Sequence, residues 1–350
     1  MSAAHDAAVA REAREAIIAP ELPIIDPHHH VRDRPGARYL FLDFRDDLAS
    51  CGHNILATVI IESGDMFRAG GPAELRPVGE TEFLNGVAAM FASGKYGPTL
   101  AGAGIVGCPD LRLGEQVRPV IEACIAAGGG RFCGVRNLLA WHEDAELRIA
   151  RTGPPGVMRD EGFRAGLRCL ADYDLSYDAY VYHPQLPELI ALVRAVPAVR
   201  IIVDHTGGPA GVGPYAGKRD EVFAFWRQQI RELAACPNVY MKLGGLGLPV
   251  MGFGFHHRQP QASSLELAQA WRRYFETCIE VFGPDRCMFE SDFPPDKEVC
   301  NYTVIWNAFK RIAAGCSADE QAALFGGTAA RAYRLKLPSE IEHRIAGRRA

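Results

Sequence analysis

Ile55-Leu-Ala-Thr-Val-Ile-Ile-Glu62 is the stretch of this sequence that decides its fold class. Six of its first seven residues are apolar, four of them are β-branched, and the run ends at a single carboxylate. An alternating pattern would predict a strand with one face in water, whereas a continuous run predicts a strand covered on both faces. Because such strands belong to parallel sheets flanked by helices, the stretch predicts an α/β protein.

The same unit, a short apolar strand followed by a helical pattern, recurs along the chain. Eight such units over roughly 300 residues predict a closed (β/α)8 TIM barrel. A doubly wound open sheet is the competing architecture, but no Gly-x-Gly-x-x-Gly follows the first strand. The predicted strands begin at residue 22 and continue with 55–61, 100–106, 132–139, 175–182, 199–204, 239–243 and 287–289. The predicted helices are 43–51, 81–93, 113–127, 160–172, 186–195, 221–235, 265–282, 296–314 and 317–333, the last being extra to the barrel.

We expect one domain, 23–335, between an N-terminal extension (1–22) and a basic C-terminal tail (336–350). A hydrophobic content of 48% with 23% charged residues excludes extensive disorder. The formal net charge of −4 argues against a nucleic-acid binder. No apolar stretch has the length of a membrane span, and 1–19 lacks the apolar centre of a signal peptide. The ten cysteines form no Cys-x-x-Cys pair, which favours a reduced, cytoplasmic protein.

The first strand leads into the densest polar motif, Pro23-Ile-Ile-Asp-Pro-His-His-His30. Side chains alternate along a strand, so His28 and His30 share one face and His29 projects from the other, to pack beneath the helices. Two imidazoles on one face could form half of a divalent-metal site. A catalytic metal needs further ligands, which other strand ends must supply.

In a barrel of this kind the carboxyl ends of the strands meet at one mouth, where active sites form. Three imidazoles and a carboxylate at such a mouth match the preferences of zinc or a similar ion, which would activate a water as nucleophile. The polar residues at the predicted strand ends are His28, His30, Glu62, Arg136, His183, His205, Lys242 and Asp292.

Several of these residues have a purely structural alternative. A single histidine at a strand end is more often a satisfied structural residue than a ligand, although strand position favours a functional role for His183 and His205. Arg136 and Lys242 are either inner-face salt-bridge partners or anchors for an anionic substrate. Glu290 lies two residues before Asp292 and would face the same side of a strand, so it is a weaker candidate for the site.

Histidines also occur in predicted loops. His142 fits a surface position. The segment Met251-Gly-Phe-Gly-Phe-His-His-Arg258, with His256 and His257, mixes glycines and aromatics as a mobile cover over a pocket would.

Taken together, these motifs resemble the amidohydrolase superfamily, in the branch called amidohydrolase family 2 or amidohydrolase-related, over about 23–335. Asp26-Pro-His-His-His30 is similar to that family's first-strand motif, and Tyr182-His-Pro184 to its strand-five histidine. Asp204-His-Thr-Gly-Gly-Pro209 is similar to its strand-six element, and Phe289-Glu-Ser-Asp-Phe-Pro294 to its strand-eight motif. The resemblance implies that His28, His30, His183 and Asp292 are metal ligands and that His205 is a catalytic neighbour.

That branch contains lactone hydrolases and non-oxidative decarboxylases. Asp204 to Pro209 and the segment Asn238 to Leu246 look more like the lactonases, some of which lack a strand-five histidine and work without metal. His183 departs from them and looks more like the decarboxylases. No lysine on strand four or five suits carbamylation, so the resemblance implies a mononuclear site.

We therefore expect a hydrolase of a small-molecule ester, lactone or amide with one divalent metal, zinc first and manganese second. Asp292 would accept the proton of the activated water, and His205 would polarise the substrate carbonyl. The alternatives are a metal-dependent decarboxylase of an aromatic or dienoic acid and a barrel that only binds a ligand. Barrels of this kind often pair, and loops 63–80 and 244–264 would set the substrate. The residues expected to bind substrate are Glu62, Arg136, Lys242, His256 and His257.

Overall fold

Eight parallel strands form a single sheet in which each strand pairs with its neighbours in chain order. They are seen in a computed structural model that describes residues 15–148, 152–256 and 258–345. The predicted (β/α)8 barrel is therefore confirmed. The strands are β1 (Ile24–His29), β2 (Ile55–Ile61), β3 (Leu100–Gly107), β4 (Phe132–Arg136), β5 (Ser176–Ala179), β6 (Arg200–Val203), β7 (Val239–Leu243) and β8 (Cys287–Phe289).

A helix follows each strand and packs its apolar face on the outside of the sheet. In the helix after β4, for example, Phe163, Leu167 and Leu170 recur at helical spacing and are fully buried. Its N-terminus is capped by the Asp160 carboxylate, which accepts the Phe163 N–H at 2.7 Å. The helices are α1 (Phe41–Ser50), α2 (Val78–Ala92), α3 (Arg118–Ala127), α4 (Glu161–Asp172), α5 (Leu186–Ala195), α6 (Arg219–Ala234), α7 (Ser264–Phe282), α8 (Tyr302–Ile312), α9 (Ala318–Ala322), α10 (Thr328–Ala332) and α11 (Ser339–Ile345).

The barrel closes between the ends of β1 and β8. The Asp292 N–H donates to the His28 carbonyl at 3.0 Å, and the His30 N–H donates to the Phe293 carbonyl at 2.7 Å. A parallel bridge joins His29 to Phe293. The carboxylate of Asp26 supports this seam by accepting hydrogen bonds from Ser291 N–H and Oγ–H at 3.0 and 2.6 Å. Backbone pairing thus brings the first and last predicted ligands side by side.

The C-terminal segment covers the opposite end of the barrel. Tyr333 and Ile345 are buried against a cluster of barrel-interior side chains that includes Ile25, Val59 and Met288. The predicted tail 336–350 therefore contains a helix, α11, whose last described residue is buried. The predicted helix 317–333 is interrupted by a π-helical turn at Ala323–Gly327.

Several other predicted boundaries were wrong, among them the end of β4, which stops at Arg136 rather than 139. β5 ends at Ala179 rather than 182, because the backbone turns away into a 3-10 turn at His183–Gln185. The helix after β8 begins at Tyr302 rather than 296, after a separate 3-10 turn at Pro295–Glu298. The helix begins where the Asn301 side chain caps it by accepting the Val304 N–H at 3.0 Å. Of the predicted 1–22 extension, residues 1–14 lie outside the described part of the chain.

Among the described residues, every helix is too short or too polar to span a membrane. The ten cysteines all lie in the described residues and form no disulfide, and eight of them are buried. A buried cysteine of this kind packs as a small hydrophobic residue.

Candidate active site

A triangle of potential metal ligands lies at the β1–β8 seam. His28 Nε2 and His30 Nε2 are 3.2 Å apart, and each lies 3.6 Å from Asp292 Oδ1. All three side chains are buried. They form one of the groups in the described residues whose ligand atoms lie within 4.8 Å of one another. The predicted same-face arrangement of His28 and His30 is present.

The outer nitrogens of both histidines are held by partners that fix the ring tautomers. His30 Nδ1–H donates to the carbonyls of Ile61 and Glu62, both at 3.1 Å. His28 Nδ1 lies 2.8 Å from Glu290 Oε2 and 2.9 Å from Lys242 Nζ. The Arg136 guanidinium can only donate and lies 3.2 Å from His28 Nε2, so Nε2 is the accepting nitrogen and Nδ1 carries the proton. Both Nε2 lone pairs therefore face inward, as in metal sites whose histidines donate their other N–H to carbonyls or carboxylates.

These donors fit a divalent ion. Tetrahedral zinc with bonds of roughly 2.1 Å to nitrogen and oxygen spaces its ligands about 3.4 Å apart, close to the observed triangle. Two lone pairs that face each other without a proton between them repel, and Asp292 Oδ2 is buried without a hydrogen-bond partner. One contact competes with a metal ion for the lone pair of His28, because Arg136 Nη1 lies 3.2 Å from His28 Nε2. An ion at His28 requires that guanidinium to move off this nitrogen.

Glu290, the weaker candidate, joins His28 to His205. His205 Nδ1–H donates to Glu290 Oε1 at 2.8 Å, while Glu290 Oε2 faces His28. Burial opposes charge on both groups, but the two histidines hold the pKa of Glu290 below its usual range. Burial alone would lower the pKa of His205, yet the carboxylates of Asp292 and Glu290 raise it to about 9. His205 is thus a cation at neutral pH, with Nε2 3.9 Å from Asp292 Oδ2.

Asp292 and His205 have left-handed backbones, with φ of +50° and +53°. This conformation costs a non-glycine residue on the order of 1–3 kcal/mol and occurs mostly where surrounding structure enforces it. Here the Asp292 N–H is tied to His28 and the His205 N–H donates to Glu290 at 3.1 Å. The strain turns both side chains toward the mouth of the barrel.

Below the triangle, two buried cations are paired with carboxylates. Arg136 donates to Glu62 Oε1 at 2.9 Å and to Asp204 Oδ2 at 3.4 Å. Lys242 Nζ lies 2.7 Å from Asp178 Oδ2 and 3.0 Å from Asp204 Oδ1. Of the two alternatives for Arg136 and Lys242, this geometry is that of inner-face salt-bridge partners.

A cavity of about 310 Å³ opens above the triangle. The predicted residues in its wall are His30, Arg136, His205 and Asp292. His28, Glu62 and Lys242 are not part of the wall. Leu248, Pro249 and Val250 from the predicted loop 244–264 form one side. The remaining lining residues are Arg32, Arg34, Ser63, Leu138, Tyr180, Pro295 and Glu298.

A larger cavity of about 920 Å³ lies beside the first and shares Leu138 with it. Phe67, Glu74 and Pro77 of loop 63–80 line it. None of the predicted site residues contributes to its wall, so the smaller cavity is the candidate substrate pocket.

His183 is not brought to the triangle. No group of potential metal ligands within the described residues contains it. Its Nδ1 accepts the Ala210 N–H at 3.2 Å, and its ring packs against Tyr215 with centroids 4.5 Å apart. Burial lowers the pKa of His183 to about 4, so it is neutral. The cause is the early end of β5, which leaves Tyr180 rather than His183 at the cavity.

The predicted cover over the pocket packs elsewhere. Phe253 and Phe255 contact Tyr274 and Trp271 of α7, with ring centroids 5.9 and 6.4 Å apart. His256 does not line the cavity, and His257 lies outside the described residues.

Two further histidines lie away from the cavity. His142 is half-buried and hydrogen-bonded to Tyr215 at 3.1 Å. His29 faces away from the barrel axis, as predicted, where it stacks on Phe44 and contacts Thr58 Oγ1 at 2.8 Å.

Five residues of the site region were missed by sequence reasoning. Asp178 and Asp204 end up beneath the mouth, and the available signal was a carboxylate within each of the predicted strands 175–182 and 199–204. Arg32, Arg34 and Tyr180 carried no motif, since their role depends on how the chain turns after β1 and β5.

Similarity to known proteins agrees with this geometry. The amidohydrolase family profile matches residues 25–335. An uncharacterized protein of Sinorhizobium fredii is 33% identical over 337 residues, which cover 90% of this chain and 99% of the relative. An L-fucono-1,5-lactonase of Burkholderia multivorans is 33% identical over 243 residues, covering 68% of this chain and 73% of the relative.

Among solved structures, an amidohydrolase from Burkholderia multivorans with bound zinc is 28% identical with a TM-score of 0.63. The match covers 89% of this chain and 99% of that one. A second crystal form of that protein, with bound HEPES, gives a TM-score of 0.67. The chain therefore belongs to the amidohydrolase family and is an enzyme of that family.

Proposed function

We propose that this enzyme hydrolyses a lactone of a small sugar-like acid, with one divalent metal held by His28, His30 and Asp292. The observation that carries the proposal is the triangle of two inward-facing imidazole nitrogens and one carboxylate oxygen at the base of a cavity. Two relatives at 33% and 31% identity, from Burkholderia multivorans and Burkholderia ambifaria, are L-fucono-1,5-lactonases, which supports lactone chemistry. Zinc is the first choice of ion because of the donor set and the zinc-bound relative.

A bound divalent ion in such a site lowers the pKa of water and polarises a carbonyl oxygen. The proposed role of Asp292 is to accept a proton from the attacking water. Its free oxygen, Oδ2, points away from the two ligand histidines and toward His205. Burial raises the pKa of Asp292, which makes this carboxylate a better base than a surface aspartate.

The protonated imidazole of His205 would act as the proton donor. It lines the cavity, and Glu290 holds its Nδ1–H. From Nε2–H it would donate to the oxyanion that forms as water adds to the ester carbonyl, then to the ring oxygen as the C–O bond breaks. The product is the open hydroxy acid, with one oxygen from water. Glu290, 2.8 Å from His28 Nδ1, would keep His28 oriented.

The residue that favoured the decarboxylase alternative does not lie at the site. It depended on His183 as a strand-five ligand, and the structure places that side chain against Tyr215 instead. The same finding reopens a metal-free hydrolysis by Asp292 and His205 alone.

A lactone panel assayed by proton release, before and after chelation, tests the proposal. Hydrolysis that is lost with chelator and restored by stoichiometric zinc or manganese supports it. Hydrolysis at full rate after complete metal removal would contradict the metal, while CO2 release from an aromatic acid would contradict the reaction.

A further inference from the structure

We propose that the substrate carries a carboxylate besides its lactone, and that Arg32 and Arg34 bind it. The inference rests on the proposed lactone hydrolysis and goes beyond the named relatives, whose L-fucono-1,5-lactone is uncharged. It depends on a pair of guanidinium groups that lie outside the motif segments quoted above.

Arg32 and Arg34 lie in a short hairpin that follows β1. Arg32 and Tyr39 exchange two backbone hydrogen bonds of 2.8 Å, and Ala37 N–H donates to the Arg34 carbonyl at 2.9 Å across the turn. In this extended arm, residues two apart point the same way. Asp33, between them, points outward, where its N–H meets the Asp65 carboxylate at 2.8 Å. The two guanidinium groups accordingly line one cavity with Asp292.

Neither guanidinium is satisfied within the described residues. Arg32 Nε and Arg34 Nη2 are buried atoms without a hydrogen-bond partner, and so is Ser63 Oγ in the same cavity wall. A buried donor left unpaired costs about 1–3 kcal/mol. Three such donors around one space call for a ligand that only accepts hydrogen bonds, which is the property of a carboxylate.

The charge in the cavity wall leads to the same conclusion. Arg136, the third arginine there, is already neutralised by Glu62 and Asp204. Arg32 and Arg34 place two further positive charges in the same wall. Glu298 shares the cavity wall but forms no hydrogen bond with Arg32 or Arg34 in the described chain. An anion bound between the two guanidinium groups would relieve the repulsion between their positive charges.

The test compares D-glucaro-1,4-lactone with D-glucono-1,4-lactone, which differ only in a carboxylate against a hydroxymethyl group. We expect the metal-loaded wild type to prefer the acidic lactone by tenfold or more in kcat/KM. Arg34→Gln and Arg32→Gln should each reduce that preference about tenfold, since a hydrogen bond to a charged group is worth at least this much. Arg38→Gln, exposed on the same loop, is the matched control and should keep the preference.

A preference that is absent in the wild type, or unchanged in both arginine variants, would overturn the inference and leave lactone hydrolysis intact. A higher kcat/KM for 6-phosphogluconolactone than for the acidic lactone would overturn the carboxylate assignment and indicate a phosphate instead.

Calorimetry separates this inference from the proposed function if no lactone turns over. Binding of D-glucarate but not D-gluconate, abolished by Arg34→Gln, would support the anion site while lactone hydrolysis fails. Equal binding of the two acids, or no binding of either, would overturn the anion site as well.

Discussion

The backbone N–H of Asp292 donates to the carbonyl of His28 at 3.0 Å, and their side chains meet at 3.6 Å on the cavity side. The hydrogen bond that closes the barrel therefore also sets the spacing of two candidate metal ligands. Any change that loosens the β1–β8 seam should affect the site before it affects the rest of the fold.

Replacement of Asp292 by asparagine should abolish most activity with little loss of stability. Asparagine tolerates the left-handed backbone better than other non-glycine residues, so the +50° φ can be kept. It cannot accept a proton, and we expect kcat to fall by about 10²- to 10⁴-fold. Steady-state kinetics and thermal unfolding measure both effects, with the exposed Asp319→Asn as control. Retained activity in Asp292→Asn would exclude Asp292 as the base.

Metal content should separate His30 from His183. His30→Ala removes one corner of the ligand triangle, and elemental analysis should find less than one tenth of the wild-type metal. His183→Ala should keep the full amount, because its ring packs on Tyr215 outside the triangle. Loss of metal from both variants would return His183 to the ligand set.

Lys242→Met should destabilise the protein strongly. The ammonium group is fully buried between Asp178 and Asp204, and its removal leaves buried negative charge uncompensated. We expect the free energy of unfolding to drop by about 3–5 kcal/mol in urea titrations. Adding Asp178→Asn should recover part of the loss, since Tyr333 still donates to that position at 2.5 Å. A loss below about 1 kcal/mol would mean that the network contributes little.

Glu80 should make stability fall as pH rises. Burial and the nearby Glu62 raise its pKa to about 7. Between the unfolded value near 4.5 and 7, the native state holds more protons than the unfolded state, so the free energy of unfolding decreases with pH. Glu80→Gln should match the wild type at pH 4.5 and exceed it at pH 8 by about 3 kcal/mol. Parallel urea curves for the two proteins across this range would contradict the shifted pKa.

The fold could be predicted because the apolar runs coincide with the strands. The predicted bounds of 55–61 and 239–243 agree with β2 and β7. Sequence reasoning failed at β5, where the apolar run continues to Tyr182 but pairing stops at Ala179. Hydrophobicity records burial rather than hydrogen bonding, and the three residues after β5 are buried without being part of the sheet.

The residues of the candidate site could be predicted only where the strand ends were predicted correctly. His28, His30 and Asp292 could be found because strand ends converge in a barrel. His183 was misplaced by the overrun of β5. Arg32 and Arg34 could not be found, because their position depends on a turn that folds the loop back over the mouth.

The most direct test of the central claim is the fate of water oxygen. The metal-loaded enzyme should turn over a lactone in H₂¹⁸O and give a hydroxy acid with one ¹⁸O in its new carboxylate, at a rate that chelation abolishes. A product without the label, or release of CO2 from the substrate, would contradict hydrolysis at this site.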